Sequence, residues 1–212
     1  MITSFWKTAY RLRERAIDLR LLQPPRFRDD DELWGLMQRD KYVRLHEAGH
    51  AVVAYSTGQT LFGVVFARLT SGVVGAAKYD VAEDPDPERV GPRMAAGEVA
   101  VRVALRARPY RVLLVQNDLI ALQRGASYDG RDPNQVVAEY SSAAYRILRP
   151  NFPIVLALAR WLRRRDVTQG SDVYGFLRSA GAVTASGATA GEGRTCDLGA
   201  LAQTLRRAGQ SR

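Results

Sequence analysis

Apolar positions along this chain fall into two patterns, one with the helical spacing near 3.6 residues and one of short β-branched or aromatic runs. Leu45, Ala48, Val52, Val53 and Tyr55 keep the helical spacing, which gathers them on one side of a helix. Gly58 is a natural stop for it, and the acidic run Asp29-Asp30-Asp31-Glu32 leads in. Between 59 and 80 the pattern changes. Leu61–Leu69 and Gly72–Tyr79 are β-branched or aromatic and are split by Thr70-Ser71-Gly72, which predicts a β-hairpin or small sheet.

The helical rhythm then returns. Arg93–Arg106 is expected as a helix, with Met94, Ala95, Val99 and Val103 apolar and Ala96-Gly97 small enough for close packing. Further helices are expected over 111–124, from Asp132-Pro133 to Leu148, over Pro153–Arg165, and over Ser171–Ser179 with Ser171 as cap. Asp80 to Pro92 reads as a loop, Gly125–Arg131 as a turn and Pro150 as a break. Residues 3–22 read as a basic amphipathic helix, with Phe5, Trp6, Tyr10, Ile17, Leu21 and Leu22 opposed by Lys7, Arg11, Arg15 and Arg20. Pro24-Pro25 ends it. The predicted class is mainly α with a small β-hairpin or sheet, α+β.

Three segments follow from this pattern. Residues 1–28 hold the basic N-terminal helix, 29–179 the principal domain, and 180–212 a small-residue linker and basic tail. The linker, residues 180–195, is built from Ala, Gly, Ser and Thr with few other residues. Within it, residues 188–195 echo a phosphate loop, but the first Gly and the Lys are missing and no apolar strand precedes them.

The chemistry concentrates in the first helix. The only histidines of the 212 residues, His46 and His50, stand four apart with Glu47 after the first. On a helix such a pair shares a face, with Cβ atoms roughly 5–6 Å apart. One zinc ion can take both imidazoles, and Glu47 lies beside them as a candidate general base. This is the zinc-protease spacing, two His at i and i+4 with Glu after the first. Two blander readings compete with it. One is a pair of unrelated buried histidines, which would need other partners. The other is a structural or inactive zinc site. Structural zinc usually takes four protein ligands, often cysteine, and the single cysteine, Cys196, lies far along the chain.

Composition narrows the setting. Hydrophobic residues make up 46%, enough for a real core. No apolar run reaches the roughly 18 residues of a membrane span, and the N-terminus lacks a continuous signal-peptide core. One cysteine rules out an internal disulfide framework, so a cytoplasmic protein is expected. The net charge of +9 comes mainly from arginine, clustered at 7–20, 102–111, 160–165 and the C-terminal tail. Such patches attract nucleic acid, anionic lipid or acidic partners, or are simply a solvated surface. No nucleic-acid-binding motif accompanies them.

His46-Glu-Ala-Gly-His50-Ala, a hairpin carrying Arg68 and Gly75, and the small-residue stretch Met94-Ala-Ala-Gly-Glu-Val-Ala100 together resemble the peptidase domain of the FtsH-type AAA+ zinc proteases. The similarity spans about residues 38–178 and includes Phe152-Pro153-Ile154-Val155, which resembles a turn in small stand-alone relatives. It implies a zincin-like helical peptidase fold, Zn2+ as cofactor and an aspartate as third ligand, supplied in the family by an Asn-Asp pair. Asn117-Asp118 matches that pair. Gly125-Ala126-Ser127-Tyr128-Asp129 echoes the family's longer string, so Asp129 is the rival. Asp118 is preferred because Leu119, Ile120 and Leu122 continue a periodic stretch, while Gly130 after Asp129 starts a helix poorly. The family's ATPase module has no counterpart here.

The resemblance implies a zinc metalloendopeptidase without its own ATPase. Its expected metal ligands are His46, His50 and Asp118, and its expected general base is Glu47. Its partners would be unfolded polypeptide or peptide substrates, with a separate AAA+ unfoldase and a homo-oligomer left open. The N-terminal helix offers contact with a membrane surface, and no specific nucleic-acid partner is expected. Two alternatives remain: an inactive zinc-binding adaptor or regulatory module, and a basic nucleic-acid- or membrane-surface-binding protein.

Overall fold

The helix carrying the two histidines is central. In the computed structural model, which describes residues 40–69, 72–80, 87–105, 118, 122, 130–185 and 190–210, it is α1, Asp40–Ser56. Every residue from Arg44 to Ser56 is buried. A helix buried all round needs neighbours on all sides. They are α2 (Pro87–Leu105), α3 (Pro133–Leu162), α4 (Gly170–Ser179) and a sheet. Gly58, with φ 80°, ends α1. Gln59 N–H donates to Ala54 C=O at 2.9 Å and Gly58 N–H to Tyr55 C=O at 3.3 Å, a Schellman closure that requires the left-handed residue.

The sheet has three antiparallel strands in the order β2 (Gly72–Tyr79), β1 (Leu61–Leu69), β3 (Val167–Gln169). The hairpin pairs Leu61 with Tyr79 and Phe66 with Gly75, with a bulge between Leu61 and Gly63. After that bulge the faces separate cleanly. Val64 and Phe66 join the helices in the main core, while Val65 packs with Leu198 and Ala202. The latter pair belongs to the chain leading into and along α5 (Gly199–Gln210), which covers the other face of β1. Mostly helical with a small antiparallel sheet, the fold is α+β as expected.

Four expectations are corrected. The helix expected from Arg93 begins at Pro87, inside the expected loop, where proline suits the first helical position, and it carries Pro92 in its second turn. Pro150 does not break the chain either, since α3 runs from Pro133 through Pro150 and Pro153 to Leu162. Asn151 explains part of this. Its side-chain N–H donates to Ile147 C=O and Val183 C=O, both at 3.0 Å, and its Oδ1 accepts from Val183 N–H at 2.8 Å. Phe152, Val155 and Leu158 sink into the core just beyond, so burial holds the helix in line where local preference would end it. Asp132 does cap α3, accepting from Asn134 N–H at 3.0 Å.

The third correction concerns α4. It starts at Gly170 after Gln169, and Ser171 lies inside its first turn rather than capping it. The fourth concerns residues 180–212, which are no mere linker and tail. Leu61 N–H donates to Glu192 C=O at 3.1 Å, and Arg194 N–H to Leu61 C=O at 2.9 Å. Gly193 thereby bridges to Leu61 in parallel. Side chains at Gly191 or Gly193 would strike main-chain atoms of Gln59 or Gly170. The small residues serve a close main-chain crossing. The N-terminal helix over 3–22 lies outside the described residues, as do 111–124 apart from Asp118 and Leu122, which are helical. No helix among the described residues is long and apolar enough to cross a membrane.

Candidate metal centre

Helix α1 delivers His46 and His50 to the side facing α2, where helical spacing stacks one ring above the other. Their centroids lie 4.5 Å apart with planes at 78°. The two Nε2 atoms point at one another at 2.8 Å. His50 Nδ1–H donates to the main-chain oxygen of Arg93, on α2, at 2.6 Å. That bond puts the proton on Nδ1 and leaves the Nε2 lone pair free for a metal.

Asp118 comes to the same point from a distant part of the chain. Its Oδ2 stands 3.5 Å from His46 Nε2 and 3.6 Å from His50 Nε2. The three donor atoms thus form a triangle of 2.8, 3.5 and 3.6 Å. Around a tetrahedral zinc with bonds of roughly 2.0–2.2 Å, neighbouring donors stand about 3.3 Å apart. The triangle fits such an ion, with one coordination position left over. Among the described residues, His46, His50 and Asp118 are the group of this kind able to hold a metal. Asp129 lies outside the described residues.

Glu47 points elsewhere, toward β2. The strand crosses its side chain so closely that a Cβ on Gly75 would stand 2.8 Å from Glu47 Cγ and 3.0 Å from Oε1. Glycine is needed there for the approach. The Ala77 main-chain N–H also bonds the carboxylate.

These groups hold one another's charge states. Burial raises the Glu47 pKa, against the pull of the two neighbouring imidazoles and the Ala77 N–H. Burial would lower His50, but the bond and charge of Asp118 outweigh it and raise the ring's pKa. Burial would raise Asp118, and its bonds to His46 and His50 outweigh that, holding it well below the usual carboxylate range.

No family model matches the chain, and no curated protein is similar to it. Function is therefore argued from the site itself.

Three contributors escape a reading of the sequence. Arg93 acts through its main-chain oxygen, which no side-chain pattern reveals. Ala77 acts through its N–H. Gly75 acts by lacking a side chain; the resemblance includes it without giving its role, and a glycine inside a strand pattern is a mark of close backbone approach.

Proposed function

We propose that this chain is a zinc-dependent metalloendopeptidase of the FtsH peptidase type, acting on unfolded polypeptide or short peptides. The observation that carries the proposal is the convergence of His46, His50 and Asp118 from two separate parts of the chain, with Glu47 one residue from the first ligand. Bound zinc would polarise the scissile carbonyl and acidify water. His46 and His50 would hold the ion through Nε2, and Asp118 through Oδ2. Glu47 would accept the attacking water's proton and pass it to the leaving amine. The outer edge of β2, which pairs with no strand among the described residues, runs past Glu47. An extended substrate adding to that edge would lie along the site.

Two measurements test the proposal: zinc content of the purified chain after reconstitution, and hydrolysis of an unfolded substrate by wild type and Glu47→Gln. About one zinc per chain, and turnover that depends on Glu47, support it. Absence of zinc removes its basis.

One observation favours a second reading, a zinc-binding adaptor without turnover. Glu47 and both histidines are buried, with β2 lying over the carboxylate. Zinc retention with no hydrolysis of any unfolded substrate, even with a separate unfoldase supplied, would decide for it.

A further inference from the structure

Gly97, on α2, stands against the facing tips of the two histidine rings. A Cβ placed on Gly97 would stand 2.5 Å from His46 Nε2, 2.5 Å from His46 Cε1 and 2.5 Å from His50 Nε2. All three are ring atoms at the reacting ends of the two histidines. No main-chain atom is among them.

A second glycine makes the contrast. Gly49, on α1 between the histidines, faces α2 as well. A Cβ there would stand 2.6 Å from Ala100 Cβ and 2.7 Å from the Ala96 main-chain oxygen. Those atoms are fixed by the helix and cannot turn aside. The two glycines therefore answer different needs. Gly49 lets the helices approach, and Gly97 keeps the space between the imidazole tips open once they have.

We infer that Gly97 is a positioning residue for metal binding, and that its lack of a side chain is what permits His46 and His50 to converge on one ion. The inference rests on the zinc-site reading above and adds to it a requirement on a residue that coordinates nothing. Zinc needs both Nε2 atoms at roughly 2.0–2.1 Å. A methyl carbon held 2.5 Å from each occupies the same neighbourhood. The rings can escape it only by swinging away from one another, and that dismantles the ligand pair. Arg93, one turn earlier on α2, holds His50 by its carbonyl, which limits how far that ring can swing. One face of α2 thus both aims a ligand and leaves room for the ion.

The test compares wild type, Gly97→Ala and Gly49→Ala by zinc affinity, read from chelator competition, and by thermal melting of the metal-free chains. The expected result is a split. Gly97→Ala weakens zinc binding at least about tenfold, the lower end of the effect of supporting residues, while its metal-free Tm stays within about 4 °C of wild type. Gly49→Ala lowers the metal-free Tm by more than that. Zinc bound by Gly97→Ala as tightly as by wild type overturns the inference while leaving the zinc site standing. Absence of zinc from wild type itself removes the reading on which the inference rests. If Gly97→Ala fails to fold, removal of both colliding rings decides. The triple variant His46→Ala, His50→Ala, Gly97→Ala relieves every one of these collisions and should restore folding; failure to restore it shows that Gly97 serves helix packing instead, which overturns the inference.

Discussion

Two sets of polar side chains share the buried helix α1, and they are satisfied in opposite ways. Arg44, at the start of the buried stretch, finds its partners within the protein. Its Nη1 donates to the main-chain oxygens of Leu162 and Arg165 at 2.5 and 3.0 Å, and its Nε to Asp40 at 2.7 Å. Nη2 makes no hydrogen bond but lies 3.6 Å from Asp166, and the guanidinium stacks on Phe66 at 4.3 Å. His46 and His50, a few residues on, turn their Nε2 atoms toward each other and toward the Asp118 carboxylate. Arg44 brings donors to carbonyls that need them, including one at the end of α3. The histidine site brings three groups that can each give a lone pair to a metal onto one point. A buried guanidinium bonded to carbonyls is a structural part, and a buried convergence of metal-donor atoms is a candidate site.

The comparison is broken most directly by removing a histidine. His46→Ala or His50→Ala should lose the single zinc altogether, as read by elemental analysis of reconstituted protein, because two remaining donors bind zinc poorly. Retention of stoichiometric zinc by either variant would mean that the triangle is not the site. Glu47→Gln is the next largest effect. It keeps the shape and the hydrogen bond from Ala77 while losing the basicity. Zinc content should match wild type, and hydrolysis of an unfolded substrate should fall by at least about 10²-fold, the usual scale for a general base. Equal turnover would remove Glu47 from the mechanism.

Arg44→Met sharpens the other half. It removes charge-assisted bonds to buried oxygens and keeps most of the apolar stem. Stability should fall by about 2–3 kcal/mol, read from denaturant titration, with zinc stoichiometry unchanged. A variant as stable as wild type would show that these bonds contribute little net.

The two halves also differ in how legible they were. The histidine pair and Glu47 were readable because a five-residue spacing on a helix carries its own geometry. The hairpin was readable from its β-branched and aromatic runs split by Thr70-Ser71-Gly72, down to the ends of both strands. Gly58 announced the end of α1. Asp118 entered only through resemblance, since nothing local marks an aspartate that meets its partners across the fold. Arg44 went unremarked, because its role depends on where α3 ends. The misreadings share that cause. Pro150 and Pro153 argue locally for a break, and only the burial of Phe152 and Val155 against α1 explains why α3 continues. The Gly- and Ala-rich run after 180 argues locally for a linker, and only its passage beside Leu61 and Gly170 explains why those residues must be small.

The smallest expected effect is an absence of coupling between the two halves. Zinc that binds only the folded chain raises its stability by an amount set by its concentration relative to Kd. Arg44 is two residues from His46, but on a helix that separation turns the side chains to different sides, one toward Phe66 and the end of α3, the other toward α2. They share no hydrogen-bond partner among those described. The zinc-induced gain in unfolding free energy should therefore be equal in wild type and Arg44→Met, to within about 0.5 kcal/mol, the scatter for independent sites. Denaturant titrations of both chains with and without zinc complete the cycle. A larger difference would show that the Arg44 network helps to hold α1 in the pose its histidines need, and the division between a structural end and a metal-binding end of the helix would fail.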